Sequence, residues 1–217
     1  MNDKIFNLAV LASGRGTNLQ SIIDKLHLSE KPIEIKSVIS NKKEAYALKR
    51  AKNCGIKVYL IDENRYNNKK DYEDKVIEAI QKSNIDLIVL AGYMKVLSAR
   101  FVNTFKNKII NIHPSLLPAF PGLNAQKQAV DYGVKVSGCT VHFVDEGVDS
   151  GPIIKQKAVP VKDSDDEESL ADRILKHEHE ILPAVIELIA EDKVKLKDDN
   201  TVLVKEWFNW RKLKEPC

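Results

Sequence analysis

The chain has 217 residues, of which 34 are basic and 31 acidic, so its formal net charge is only +3. That length suits one domain with a sizeable core, and the near-balance of charge gives no support for a nucleic-acid or membrane-surface partner. Three cysteines without a C-x-x-C pair, no apolar stretch near ~18 residues and no signal-peptide layout favour a cytoplasmic protein without disulfides, zinc or membrane spans.

The first predicted unit is a strand, a glycine-containing turn and a helix. Residues 5–11 are a short apolar run, and apolar residues recur at helical spacing over 19–26. Between them, residues 13–18 (Ser-Gly-Arg-Gly-Thr-Asn) could offer backbone N–H groups and the positive end of a helix dipole to one phosphate. The alternative is a plain turn that needs its glycines only for geometry. The second strand, residues 33–39, does not end at the acidic residue of a dinucleotide site, which argues against NAD.

The alternation of strands and helices continues to residue 113. Residues 85–90 are nearly all apolar, as expected for a central parallel strand that is buried on both faces. Repeated strand–helix units imply right-handed crossovers and a doubly wound, mostly parallel α/β sheet. Further helices are predicted over 43–53, 71–82 and 98–105, with Ser98 as a cap, and further strands over 56–61 and 109–113.

The chain changes character after residue 118. Two apolar strands, 136–144 and 153–161, are joined by a short acidic loop, so we expect them to be antiparallel neighbours. This gives the α/β fold an antiparallel C-terminal part. A capping box at Ser164 and Glu167 is predicted to open a long helix to residue 190, kinked at Pro183, and residues 194–196 and 202–204 are predicted to form a terminal hairpin.

Residues 111–118 (Asn-Ile-His-Pro-Ser-Leu-Leu-Pro) carry the strongest chemical signal. Pro114 ends a buried strand, and side chains alternate along a strand, so Asn111 and His113 point to the same side at its carboxyl end. Ligands bind at that end in open α/β sheets. An amide and a ring N–H could together stabilise negative charge that develops on a carbonyl oxygen. The alternative is a strand-end histidine that caps a loop carbonyl.

The remaining titratable residues give fewer candidates. His142 alternates with apolar residues, which favours a histidine whose hydrogen bonds are satisfied within the sheet. Asp145, Glu146 and Asp149 lie in a loop after a core strand, and one of these carboxylates could reach His113 and hold it protonated. The sequence contains neither an H-E-x-x-H motif nor a recognisable covalent nucleophile motif, so no metal and no covalent intermediate is expected.

Residues 111–118 resemble the signature of the folate-dependent formyltransferases, and the resemblance extends over nearly the whole chain. Residues 13–18 resemble that family's loop for the phosphate of glycinamide ribonucleotide, and residues 91–97 resemble its pterin-binding segment. The resemblance implies catalytic roles for Asn111, His113 and Asp149. It implies substrate contacts from Gly16, Thr17, Asn18 and Glu178, and folate contacts from Lys69, Met94, Lys95, Val96, Leu97 and Asn111.

Some positions depart from the family pattern. Lys69 stands where the family usually has arginine, and Lys95 and Val96 replace the more common arginine and isoleucine. The resemblance implies a single catalytic domain, with a phosphate-binding half over 1–105, a catalytic and folate-binding half over 106–205, and a tail over 206–217.

The implied reaction transfers the formyl group of the co-substrate 10-formyltetrahydrofolate to the amino group of glycinamide ribonucleotide, a step of de novo purine biosynthesis. No metal is implied. The partners would be these two small molecules, without nucleic acid or membrane, and the protein would be a monomer or a homodimer. The alternatives are a formyltetrahydrofolate hydrolase or a methionyl-tRNA formyltransferase on the same fold, or a nucleotide-binding protein without catalytic activity.

Overall fold

The structure is a computed structural model that describes residues 4–205, so the predicted tail lies outside the described residues. The strands are β1 (Phe6–Leu11), β2 (Ile33–Ser40), β3 (Lys57–Leu60), β4 (Leu87–Leu90), β5 (Ile109–His113), β6 (Val136–Phe143), β7 (Ile153–Pro160), β8 (Val194–Leu196) and β9 (Val202–Val204). The helices are α1 (Thr17–Ile22), which continues as a π-helical turn (Ile23–His27), α2 (Tyr46–Asn53), α3 (Lys69–Gln81), α4 (Ala99–Thr104), α5 (Ala125–Tyr132) and α6 (Glu167–Ala190), with a 3₁₀ turn at Glu63–Arg65.

The main sheet has the strand order β3-β2-β1-β4-β5-β6-β7. Strands β1 to β5 are parallel, whereas β6 pairs antiparallel with β5 and β7 antiparallel with β6. Both predictions, a doubly wound parallel sheet and an antiparallel C-terminal part, are confirmed. The order reverses between β1 and β4, and this switch point opens a crevice beyond the carboxyl ends of these two strands.

The core has two layers, one on each face of the sheet. Successive residues of β1 alternate between them: Leu8 and Val10 pack with α1, α2 and α6, whereas Ala9 and Leu11 pack with α3 and α4. Tyr72 and Val76 of α3 are buried in this second layer. Among residues 4–205, no helix combines the length and the apolar character needed to cross a membrane.

The long helix α6 begins differently from the prediction. The Asp166 carboxylate accepts a hydrogen bond from the Ser169 N–H at 2.8 Å, and the Ser169 hydroxyl accepts one from the Asp166 N–H at 3.1 Å. The predicted capping box at Ser164 and Glu167 is therefore wrong, because the chain makes a turn at 162–165 before the helix starts. The predicted terminal hairpin is confirmed, since β8 and β9 pair antiparallel over the predicted residues.

The turn between β1 and α1 depends on a glycine. Gly16 has a φ of +70°, and a Cβ atom at this position would lie 2.7 Å from both Cα and Cβ of Ala47 on α2. Gly14, two residues earlier, has no such contact, because nothing lies within 4 Å of its would-be Cβ. Close packing of the turn on α2 therefore explains the glycine at position 16.

Gly16→Ala should lower the free energy of unfolding by about 1–3 kcal/mol, because alanine meets both a left-handed backbone and the Ala47 main chain. Gly14→Ala is the matched control and should change stability little. Urea denaturation followed by circular dichroism measures both. Equal stability of the two variants would contradict the packing role of Gly16.

Candidate active site

The candidate site lies where three neighbouring parallel strands end. The loop after β1 and the segment after β4 leave the sheet at the switch point, where the Ser13 N–H donates to the Gly92 carbonyl at 2.9 Å. Strand β5, the next in order, ends at His113. A cavity of about 490 Å³ opens here, which is a size suited to a small organic ligand. Its wall includes Met94, Lys95, Val96, Leu97, Asn111, His113, Gly122, His142, Val148 and Asp149.

Three polar side chains of this wall are each anchored to the backbone by a short hydrogen bond. His113 Nε2 lies 2.8 Å from the Phe120 carbonyl oxygen, and His142 Nδ1 lies 2.8 Å from the Phe143 carbonyl oxygen. The Asp149 carboxylate accepts a hydrogen bond from the Gly122 N–H, also at 2.8 Å. The backbone therefore sets the orientation of both rings and of the carboxylate.

The contacts between the side chains themselves are longer. His113 Nδ1 lies 3.2 Å from Asp149 Oδ2. The Asn111 amide nitrogen lies 3.3 Å from Asp149 Oδ1 and 3.2 Å from His142 Nε2. Asp149 thus joins the two residues of β5 that were predicted to point to the same side. Contacts of this length can be exchanged for bonds to a ligand at little cost.

The partners of each ring fix where its proton lies. A carbonyl oxygen can only accept, so Nε2 of His113 and Nδ1 of His142 carry hydrogen. His142 Nε2 is then free to accept from the Asn111 amide. When His113 is neutral, its Nδ1 carries no hydrogen and faces Asp149 Oδ2. Nδ1 is therefore the atom of the ring that can accept a proton.

Burial lowers the pKa of His113 below its ordinary value, although the Phe120 carbonyl and the charge of Asp149 oppose the shift. Burial raises the pKa of Asp149, but contacts with His142, the Gly122 N–H and His113 outweigh it, so the carboxyl pKa lies below its usual range. Near neutral pH the pair is therefore a neutral ring beside a carboxylate. Asp149 thus acts on the ring in the expected direction, since its charge raises the His113 pKa, but desolvation of the buried ring is the larger effect in the ligand-free site.

The structure also brings together two of the predicted substrate residues, Asn18 of α1 and Glu178 of α6. The Asn18 amide donates to Glu178 Oε2 at 2.7 Å, and both side chains are buried. Burial raises the pKa of Glu178, and the bond from Asn18 only partly opposes this. Asn18 Oδ1 is buried and makes no hydrogen bond within the described part of the chain. Gly16 and Thr17 begin the same helix, at its N-terminal end.

The predicted folate residues divide into two groups. Residues 94–97, called the folate segment below, line the cavity that also holds Asn111, His113 and Asp149. Lys69 does not line that cavity. It lies at a neighbouring one, which shares only Lys95, Val96 and Leu97 with the first, and its Nζ is 3.8 Å from Glu73.

His142 is a site residue that sequence reasoning interpreted too narrowly. Its ring is satisfied within the sheet, as predicted, but its second nitrogen also contacts the Asn111 amide. The register explains this, since Asn111 of β5 pairs directly with His142 of β6. Only knowledge of that antiparallel pairing could have revealed the contact. Over residues 4–205, no group of three or more His, Cys, Asp or Glu side chains is placed to hold a metal ion.

The chain is similar in sequence to a known protein family and to named members of it. The family described as formyl transferase matches residues 6–186. The phosphoribosylglycinamide formyltransferase of Haemophilus influenzae is 44% identical over 88% of this chain and 91% of its own length. The human trifunctional purine biosynthetic protein adenosine-3 is 43% identical over 90% of the chain, which spans only 19% of that longer protein.

Solved structures agree with the sequence comparison. The crystal structure of glycinamide ribonucleotide transformylase 1 from Symbiobacterium toebii superposes with a TM-score of 0.90 at 45% identity, covering 94% of this chain and 95% of that one. The phosphoribosylglycinamide formyltransferase from Anaplasma phagocytophilum superposes with a TM-score of 0.89 at 43% identity, covering 94% and 96%.

Asp149→Asn should lower the pKa of His113 further, because it removes the charge that opposes the effect of burial. The shift is measured by NMR titration of the ring. Glu146→Gln is the matched control, since Glu146 is an exposed carboxylate of the same loop that bonds to Asn103. A His113 titration that does not move in Asp149→Asn would contradict electrostatic coupling between the two groups.

Proposed function

The chain belongs to the formyl transferase family, and from this premise we propose that it transfers the formyl group of 10-formyltetrahydrofolate to the amino group of glycinamide ribonucleotide. The observation that carries the proposal is the cluster of Asn111, His113 and Asp149 on the wall of one cavity beside residues 94–97. The same reaction is expected from the names of relatives that are 43–45% identical over most of the chain.

The two substrates occupy different parts of the carboxyl edge of the sheet. The folate lies in the cavity lined by residues 94–97 and presents its formyl group to Asn111 and His113. The ribonucleotide places its phosphate at residues 16–18 and its amine towards the cavity. Glu178, held by Asn18, contacts the ribonucleotide from α6. The switch point between β1 and β4 supports this layout, because it brings both loops to one crevice.

In the first step the amine attacks the formyl carbon. A C–N bond forms, and the carbonyl electrons move to the oxygen as an oxyanion. The Asn111 amide releases its long contact with Asp149, 3.3 Å in the free site, and donates to this oxygen. The orientation of the amide is maintained by His142 Nε2.

Asp149 and His113 move the proton. The attacking nitrogen becomes cationic, and its proton passes through Asp149 to the bare Nδ1 of His113, 3.2 Å away. The imidazolium that forms lies beside the oxyanion and stabilises it at the moment when the negative charge is greatest. Collapse of the intermediate breaks the bond to the folate nitrogen, which receives the proton as it leaves.

Asp149→Asn should reduce kcat by something on the order of 10²-fold or more with little change in either KM, because the charge acts chiefly in the transition state. Formation of folate product is measured with and without glycinamide ribonucleotide, which separates transfer from hydrolysis. Glu146→Gln should keep normal turnover. Near-normal kcat in Asp149→Asn, or product formation that does not need the ribonucleotide, would refute the proposal.

The mechanism also fixes the sign of the pH dependence. His113 must begin neutral to accept the proton, and burial lowers its pKa below the ordinary value of 6.5. Activity should therefore be constant near neutral pH and fall as the pH drops through a midpoint below 6.5. A profile of kcat/KM against pH measures the midpoint. A loss of activity on raising the pH through this range would mean that His113 must begin charged.

A non-reactive folate analogue should protect two stretches of backbone from hydrogen exchange, residues 94–97 and residues 146–149. Residues 94–97 and 147–149 line the cavity proposed for the pterin, whereas residues 14–18 do not. Exchange followed by mass spectrometry, with phosphate alone as the comparison ligand, gives the two patterns. Protection by the folate analogue confined to residues 14–18 would show that the two pockets are interchanged.

A further inference from the structure

The folate segment is irregular in conformation, and two of its four residues are exposed. The side chains of Met94 and Val96 are 56% and 60% exposed, and the segment belongs to neither a helix nor a strand. Of its three apolar side chains, Leu97 packs against the core layer of α3 and α4, whereas Met94 and Val96 bury little surface. Yet a flat ligand that is bound through hydrogen bonds to backbone N–H and C=O groups needs those groups at fixed positions. Both ends of the segment are tied to buried polar side chains.

The first tie is at Met94. Its backbone N–H donates to the Ser13 hydroxyl oxygen at 2.9 Å, and that hydroxyl donates to Asn41 Oδ1 at 2.6 Å. Ser13 and Asn41 are each 5% exposed. Ser13 thus connects the end of β1 and the residue after β2 with the start of the folate segment. Without the hydroxyl, the Met94 N–H would lose its partner in this environment.

The second tie is at Ser98, immediately after the segment. Glu73 of α3 is only 2% exposed, and its carboxylate accepts from the Ser98 N–H at 2.9 Å and from the Ser98 hydroxyl. A buried carboxylate is costly unless it is well paired. Its two hydrogen bonds go to one residue, which is also the N-cap of α4. The only nearby cation among its ion-pair partners in the described chain is Lys69, at 3.8 Å.

We propose that Glu73 and Ser13 are positioning residues that pre-organise the folate segment for its ligand. Four residues held at both ends by buried hydrogen bonds have few conformations, so little ordering is needed when the ligand binds. Neither residue lines the cavity beside His113, and Glu73, which lies at the neighbouring cavity, has both of its hydrogen bonds directed to Ser98, so we place the effect of both residues on the segment. The inference rests on the proposed function, because it takes folate as the ligand of this segment.

A purely structural role for Glu73 is the competing explanation, since the same bonds join α3 to the start of α4. The two explanations differ in what they predict for the two substrates. Loss of packing would weaken both substrates together or lower the amount of folded protein. Loss of pre-organisation would weaken folate alone and would loosen residues 94–97 in the protein without ligand.

The test compares Glu73→Ala, Glu73→Gln and the control Glu78→Gln, which changes an exposed carboxylate of the same helix. The dissociation constant of a non-reactive folate analogue should rise about tenfold in Glu73→Ala, while KM for the ribonucleotide stays within about twofold. Glu73→Gln, which keeps one acceptor for Ser98, should restore part of the affinity. Glu78→Gln should bind like the wild type, and hydrogen exchange at 94–97 without ligand should quicken only in the Glu73 variants.

Ser13→Ala is the second variant, and it keeps the inference testable if Glu73→Ala does not fold. It should weaken the folate analogue about as much as Glu73→Ala, again about tenfold. Unchanged affinity in both Glu73→Gln and Ser13→Ala, or an equal loss for both substrates, would overturn the inference. If the wild type itself fails to bind the folate analogue, the proposed function fails, and the inference fails with it.

Discussion

The buried carboxylate of Asp149 is the group on which the geometry of the site depends. Its side chain is only 13% exposed, and it joins its own loop to β5, through His113 and Asn111, and to the loop that follows β5, through Gly122. Asp149 itself has a φ of +52°, a conformation that costs free energy in a residue other than glycine. A buried charge must be paired, so the contacts with the other two segments stabilise this conformation of the loop.

The parallel and the antiparallel parts of the sheet contribute different features to this site, namely the crevice and the polar cluster. The parallel half supplies the crevice, because the strand order reverses between β1 and β4. The antiparallel half supplies the polar cluster: pairing of β5 with β6 puts His142 opposite Asn111, and the β6–β7 loop returns Asp149 to both. That return needs glycine at position 151, where a Cβ would lie 1.9 Å from the Phe143 carbonyl oxygen. The pairing of β5 with β6 thus aligns Asn111 and His142, and the loop adds Asp149 to them.

Local sequence patterns were enough to predict most of the fold. They failed where contacts between residues distant in the sequence determine the structure. The strands, the terminal hairpin and the shared face of Asn111 and His113 follow from periodicity and from proline, which are local signals. The start of α6 was misread because a turn at 162–165 competes with the predicted cap. The net lowering of the His113 pKa could not be foreseen, because it comes from burial, which no short motif reveals. The bond between Asn18 and Glu178 joins residues 160 positions apart.

The distribution of hydrogen-bond lengths separates the rigid part of the site from the part that can change partners. Each ring and the carboxylate has one 2.8 Å bond to the backbone, whereas the contacts among these three groups and the Asn111 amide are 3.2–3.7 Å. A fully formed bond between imidazolium and carboxylate would be about 2.7–2.9 Å. The distance of 3.2 Å between His113 Nδ1 and Asp149 Oδ2 is longer than that of such a bond. Because the backbone already holds both groups, little reorganisation is needed when the proton arrives, and this is the condition under which electrostatic stabilisation of an oxyanion is most effective.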